Sequence, residues 1–447
     1  VIRDRRLAWR ILIGGAGLIT LARILWAGLV QLCPDEAWYW SWGRNLALSY
    51  RDHPPLLGWI LCLIPEPLGG SSEVWVRLPA LASGLVLLPL THVLCREAGA
   101  SRTSSLVAAF TGCLSLMACA GAVIVTPDAP LLVLWTLGLI LSVRLARGGS
   151  PWLLAAAAGA AGAACLAKLP GLLLLLGIGA AVIPRRDQWR RLVAPAIVAA
   201  LAIGAALALI AAGEAGSVPG PVRFQMARLA DTSPSIVGPV AFLAALVGLA
   251  GVLPAGGVVP LASGRLLRTR PAAAVLAWSF WPALAGFTLL AAIVHVEPNW
   301  GAVAFPSLFA GWALLLDGLR ERGRGRGVAA AALVLNVLLA LLVHLHAAGL
   351  LAAPYVGRGP AARLHGWREL VRVIGSTGPG RLETDEYGLA APLSYYGRGT
   401  LDVVLEPGEV PDAEPEAVWR VEDGRLGLSR RVEGWRSGEG FRIRCGR

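Results

Sequence analysis

The chain has 447 residues, 56% of them hydrophobic and only 15% charged, with a formal net charge of +12. A mean hydropathy of +0.64 excludes a string of soluble domains, because that much apolar surface cannot face water. The positive charge does not argue for nucleic acid. About half of the arginines stand in short connections between apolar runs, where the positive-inside bias puts them, and not along one solvated face.

The opening Val1-Ile-Arg-Asp-Arg-Arg runs into an apolar stretch without a small-residue cleavage site, which reads as a retained anchor. A helix of roughly 18–20 apolar residues crosses a bilayer. The runs 8–30, 74–94, 104–125, 130–147, 152–167, 169–184, 192–212, 239–259, 273–293, 301–318 and 328–349 predict eleven spans. The fifth and sixth are short enough to tilt or re-enter. One alternating set of connections carries Arg3/Arg5/Arg6, Arg96/Arg102, Arg144/Arg147, Arg185/Arg186/Arg190/Arg191, Arg265/Arg268/Arg270 and Arg320/Arg322/Arg324/Arg326. The other carries only Arg44, Arg51, Lys168, Arg223 and Arg228 before the last span. This asymmetry predicts a cytoplasmic N-terminus, and eleven spans then leave the C-terminus outside. The expected fold class is an all-α polytopic membrane protein with a small C-terminal α/β domain on the extracytoplasmic side.

The chain's unusual residues gather on the connections assigned to the outer face. After the first span, Asp35, Glu36, Arg44, Arg51, Asp52 and His53 are interleaved with Trp38, Tyr39, Trp40, Trp42, Tyr50 and Trp59. Amphipathic aromatics collect at a membrane–water boundary, and charges beside them on a greasy chain are costly unless they act on something. The stretch 31–65 is expected to hold helices lying on the membrane surface. Asp35, behind Pro34, fits a general base, a metal ligand or a helix N-cap equally by position. Asp128, in Thr126-Pro-Asp-Ala-Pro130, has the same bland alternative, a cap for the fourth span.

Arg51-Asp52-His53-Pro54-Pro55 is a rigid elbow, since the diproline fixes the backbone that presents Asp52 and His53. His53 could bind phosphate, ligate a metal or simply be solvated. Lys168, the only lysine of the chain, sits in an outer turn, either snorkelling or serving as a point charge for phosphate. Arg223 and Arg228 allow the same use, or a solvated loop face, in the long connection 213–238. The prolines and glycines of that connection predict irregular backbone. His295 and Glu297 could join Asp35 or His53 around a divalent metal, but no tight ligand spacing supports it. The seven cysteines also show no metal spacing. Cys62, Cys113, Cys119 and Cys165 lie within apolar runs, while Cys33 and Cys445, both expected outside, leave a disulfide open. No phosphate-binding loop, dinucleotide glycine fingerprint or G-x-S-x-G elbow occurs.

Near Pro354 the composition changes, dividing a membrane domain, 1–353, from a soluble one, 354–447. A helix is expected near 367–373, with short strands at 401–405, 417–421 and 441–444.

Asp35-Glu-Ala-Trp-Tyr-Trp and Leu46-Ala-Leu-Ser-Tyr-Arg-Asp-His-Pro-Pro-Leu56 resemble the first outer loop of the family 39/83 polyprenyl-phosphate-sugar glycosyltransferases. That superfamily, of the GT-C fold, includes protein O-mannosyltransferases, the lipid A aminoarabinose transferase and lipopolysaccharide galacturonosyltransferases. Thr126–Leu131, Ala167–Pro170, Val296–Trp300 and Asp385–Ala391 with Tyr395-Tyr396 resemble later blocks in the same order. The resemblance implies a bacterial inner-membrane enzyme with its site on the periplasmic side. It would transfer a sugar, with inversion, from a polyprenyl-phosphate donor to a glycolipid, glycan or protein acceptor, with no nucleotide sugar. Asp35 matches the catalytic base, and Asp128 a second acid that positions acceptor or base. Asp52 and His53 match an acidic–basic pair whose basic member, Lys in some relatives, binds the carrier phosphate. With His there, phosphate binding is expected to be pH-sensitive. Glu36, Tyr39, Arg51, Lys168, Arg223, Arg228, His295, Glu297, Asn299, Trp300 and Tyr387 complete the candidate substrate-binding set. Lipid-linked-sugar flipping, a non-catalytic assembly role and protein O-glycosylation are the competing readings.

Overall fold

The computed structural model describes residues 4–64, 72–215, 220–230, 232, 234–351, 363–377, 381–384, 387–398, 400–405, 418–422 and 425–429. The chain forms two compact units. One comprises Val1–Ile24, Ala47–Leu57 and Leu78–Leu342, the other Leu25–Leu46, Gly58–Arg77 and Val343–Arg447.

The principal helices are α1 (Arg5–Leu29), α2 (Pro34–Arg44), α3 (Leu78–Glu97), α4 (Arg102–Cys113), α5 (Leu116–Gly121), α6 (Asp128–Ala146) and α7 (Leu153–Ala167). They are followed by α8 (Trp189–Glu214), α9 (Pro221–Ala230), α10 (Val237–Ala250), α11 (Pro271–Leu290), α12 (Phe305–Glu321), α13 (Gly325–Ala347), α14 (Trp367–Thr377) and α15 (Tyr387–Tyr396). Where the sequence predicts eleven spans, seven helical segments among the described residues are long and apolar enough to cross a membrane, or eight if one bent pair is counted as a span.

Each shortfall has a local cause. The third expected span breaks after Cys113, because Ser115 caps a new helix: its hydroxyl donates to Gly112 O at 2.8 Å and accepts from Ala118 N at 3.3 Å. The fifth is only the 15 residues of α7, and the sixth begins as a 3-10 turn at Leu169–Leu173. The eighth bends by 104° between Val237–Ala250 and Pro254–Ala262, with Gly251 at φ +94°, a conformation that favours glycine. The connection 213–238, expected to be irregular, holds α9. Pro221 opens that helix, and the Glu214 carboxylate accepts Val222 N–H at 2.7 Å.

The core of the first unit centres on the wholly buried Trp135 and Trp312, with Leu94, Leu131, Leu139 and Leu316 around them. Ala157, Ala161 and Ala164 of α7 expose nothing, and small residues let helices approach closely. A Cβ on Gly162 would stand 3.2 Å from Ala202 O of α8. In α8 and α13, large side chains such as Ile197, Leu201, Leu338 and Leu341 stay more than half exposed, as lipid-facing surfaces require.

In the second unit α2 packs on α15, with Trp40 edge-on to Tyr395 at 5.1 Å and Trp38 tilted against Tyr387 at 6.0 Å. The expected helix near 367–373 is α14. The strand Arg381–Thr384 pairs in parallel with Asp402–Leu405, and Val418–Glu422 pairs antiparallel with Arg425–Ser429. The expected strand at 441–444 and Cys445 lie outside the described residues.

Arg77 ties this unit together. Its Nε and Nη2 grip both Glu36 oxygens at 2.8 and 2.7 Å, and its remaining hydrogens reach Ala27 O, Val30 O and Gln31 O at 2.7–2.9 Å. Neither side chain of the pair is exposed. Removing one partner of a buried pair strands the other charge. Arg77→Met is therefore expected to lose about 3–5 kcal/mol of stability. Arg77→Met/Glu36→Gln should recover part of that loss in denaturant unfolding of detergent-solubilised protein. An unchanged midpoint in the single variant would contradict the assignment.

Candidate functional site

Asp35 occupies the first turn of α2, where a carboxylate is favoured by the unpaired N–H groups and the helix dipole. Its neighbour Glu36 closes a capping box, accepting Cys33 N–H at 3.0 Å while Arg77 holds both of its oxygens. Adjacent carboxylates thus have opposite fates. Glu36 is fully buried and committed to Arg77, whereas Asp35 is only partly buried and accepts the Tyr387 hydroxyl at 3.1 Å. Tyr39 is buried against Trp42 at 4.6 Å, part of the aromatic wall on the same helix.

Below this wall, Tyr396 accepts Leu32 N–H at 2.6 Å and donates to Glu73 at 3.1 Å. Burial, reinforced by the Glu73 carboxylate, pushes the Tyr396 phenol well above its usual pKa, so it acts as a neutral bridge. Arg368 also reaches Glu73.

The first unit carries its own polar constellation. Asp128, in the first turn of α6, receives Lys168 Nζ at 2.9 and 3.0 Å on its two oxygens, and Asn299 Nδ2 at 2.8 Å on Oδ2. Asp128 and Lys168 are each 7% exposed. Lys168 reaches inward because α7 ends at it in extended conformation, φ −159° and ψ 137°, and the Leu169–Leu173 turn folds back over the helix end. Only glycine permits that return, since a Cβ on Gly171 would lie 2.4 Å from the Ala164 and Cys165 backbone.

The elbow of residues 51–53 is held by Tyr50 N–H donating to His53 O at 3.1 Å. His53 Nε2 stands 3.9 Å from the Asp52 carboxylate, both side chains partly exposed. Arg51 lies over the Phe224 ring at 5.5 Å. Burial lowers its pKa, with Asp52 opposing, yet a guanidinium remains a cation. Arg223, more than half exposed, bonds to Glu214 O, while the Arg228 side chain lies outside the described residues. His295 and Glu297 contact each other at 3.2 Å and are both exposed, and Trp300 packs on Phe287 at 6.1 Å. Among the described residues no group of three His, Cys, Asp or Glu side chains is arranged to share a metal ion.

The structure therefore joins Asp128, Lys168 and Asn299 directly, pairs His295 with Glu297 and Asp35 with Tyr387, and engages Glu36 and Lys168 in buried ion pairs. Sequence reasoning missed Arg77 and Arg23, each swallowed by an apolar run. The available signal was the cost of a lone charge inside a span. Lys168→Met and Asp128→Asn should each destabilise the protein, with a coupling of about 2 kcal/mol in a double-mutant cycle read by thermal unfolding. Additive effects would show the pair to be energetically idle.

Residues 52–212 match the family model described as dolichyl-phosphate-mannose-protein mannosyltransferase. A 58-residue stretch is 38% identical to the lipid A galacturonosyltransferase RgtD of Rhizobium johnstonii, and that alignment spans 12% of each chain. The crystal structure of ArnT from Cupriavidus metallidurans bound to undecaprenyl phosphate superposes with a TM-score of 0.61 at 18% identity, over 90% of this chain and 86% of that one. Its apo form gives 0.62 at 19% identity over the same shares. At such identity the likeness carries the fold.

Proposed function

We propose that the chain is an integral-membrane inverting glycosyltransferase of the GT-C superfamily, a reading supported by the family-model match over residues 52–212 and the ArnT-like fold. It takes a sugar from a polyprenyl-phosphate donor and passes it to an extracytoplasmic acceptor, lipid A or lipopolysaccharide core first among the candidates. The named relatives support this reading, one a lipid A galacturonosyltransferase and one crystallised with undecaprenyl phosphate. The arginine distribution supports a cytoplasmic N-terminus, with the site on the opposite face.

The observation that carries the chemistry is the contrast between Glu36 and Asp35. One carboxylate is locked to Arg77, and the other is partly open to solvent at the start of the helix that this lock fixes. On this reading Asp35 takes the proton of the acceptor hydroxyl as its oxygen bonds to the anomeric carbon. The bond from that carbon to the phosphate oxygen breaks with inversion, and the lipid phosphate leaves with the electron pair. Tyr387 holds the Asp35 carboxylate in place. The family resemblance gives Asp128, held by Lys168 and Asn299, the part of a second acid that positions acceptor or base. Since Lys168 is engaged by Asp128, positive charge for the departing phosphate falls to Arg51 and His53, with Arg223 and Arg228 as outer cations.

Asp35→Asn should lower sugar transfer from a polyprenyl-phosphate donor by roughly 100-fold to 10,000-fold without changing the unfolding midpoint. Tyr387→Phe should lower it by only about tenfold, the worth of one hydrogen bond to a charged group. Near-normal turnover by folded Asp35→Asn would remove the assignment.

A further inference from the structure

The turn between α1 and α2 is held twice. Arg77 grips it through Glu36 and the carbonyls of Ala27, Val30 and Gln31. Glu73 stands four residues before Arg77, and Arg77 N–H donates to Glu73 O at 3.0 Å, so one helical turn carries both side chains. Glu73 is 6% exposed, and its carboxylate accepts the Tyr396 hydroxyl at 3.1 Å. That hydroxyl accepts Leu32 N–H at 2.6 Å. An amide N–H can only donate, so the phenol proton is committed to Glu73 and the direction of both bonds is fixed.

Tyr396 is the last residue of α15 and Tyr387 the first. Tyr387 donates to Asp35 at 3.1 Å. The helix therefore meets the start of α2 at both of its ends, Leu32 at one and Asp35, three residues on, at the other. Asp35 is carried by α2, which Arg77 fixes through Glu36. Tyr387 is carried by α15, which Tyr396 ties to Glu73 on the same helical turn as Arg77. The carboxylate and the hydroxyl that holds it are thus referred to one frame, residues 73–77.

We propose that Tyr396 is a positioning residue for sugar transfer: its tie to Leu32 and Glu73 sets the register of α15 on which the Tyr387–Asp35 hydrogen bond depends. The role rests on the transfer reading and is exerted through Tyr387. A neighbouring contact supplies the contrast. Gln31 Oε1 accepts Trp367 N–H at 2.7 Å and Arg368 N–H at 3.2 Å, satisfying the start of α14 from a remote position. Those bonds hold α14, not α15.

The test uses full-length protein in detergent, supplied with a lipid extract of cells lacking it, in which donor and unmodified acceptor accumulate on the transfer reading. Tyr396→Phe should lower the rate at saturating extract by about threefold to tenfold. The half-saturating amount should stay within about twofold of wild type, because a misplaced reacting group costs turnover more than binding. In a Tyr387→Phe background the same substitution should change the rate by less than about twofold, since the bond it serves is already gone. Glu73→Leu leaves the Tyr396 ring and its Leu32 contact in place, and should reproduce both results. Gln31→Met should lower the unfolding midpoint yet leave the rate within about twofold of wild type, which separates a looser fold from a lost register. Multiplicative losses in the Tyr387→Phe/Tyr396→Phe variant, or a full rate in folded Tyr396→Phe, would overturn the role while Asp35→Asn stays impaired. Full transfer by Asp35→Asn would instead strike the transfer reading, and this role with it.

Discussion

Arg77 makes five hydrogen bonds without touching solvent, and every one lands on the short stretch leading from α1 into α2. Three go to carbonyls around the C-terminus of α1, Ala27 in its last turn and Val30 and Gln31 just beyond it. Two go to Glu36, whose second task is to cap the start of α2. The turn between an apolar helix and the aromatic helix is thereby fixed from inside, and Asp35 stands one residue before the locked carboxylate. Asp35 as the proposed base gains from such a mounting, because a small misplacement of a reacting group sharply lowers the rate.

The same constraint recurs through the molecule. Away from bulk water a charge persists only beside its opposite or among hydrogen-bonding groups of the right polarity. Asp128 meets it with Lys168 and Asn299, and Asp317 meets it with the Ser101 and Ser104 hydroxyls and Ser101 N–H. Arg23 meets it with two carbonyls from a broken helix. Lys168 has a carboxylate within 3 Å, whereas Arg23 borders a largely apolar cavity.

Much of the candidate site was legible in the sequence, because carboxylates such as Asp35 and Asp128 stand out against apolar surroundings. Their environments were not legible. Nothing in the order Asp35-Glu36 says which acid is buried, since that depends on Arg77, 41 residues away from Glu36. Lys168 looked available for phosphate because its partner Asp128 lies 40 residues earlier. The span count fell short for a similar reason. Hydropathy over 104–125 and 239–259 is uniform, whereas the breaks are set by one serine hydroxyl and by a glycine at positive φ. Residues such as Tyr387, remote in sequence and adjacent in space, entered only through family resemblance.

The central claim, lipid-phosphate-dependent sugar transfer onto an envelope glycolipid, is tested most directly by mass spectrometry of lipid extracts from cells with and without this protein. The account predicts that one glycolipid loses a single sugar while the matching polyprenyl-phosphate sugar accumulates. That pairing would name acceptor and donor together. Unchanged glycans, with polyprenyl-phosphate sugars redistributed between the two membrane leaflets, would contradict transfer and point to a transporter.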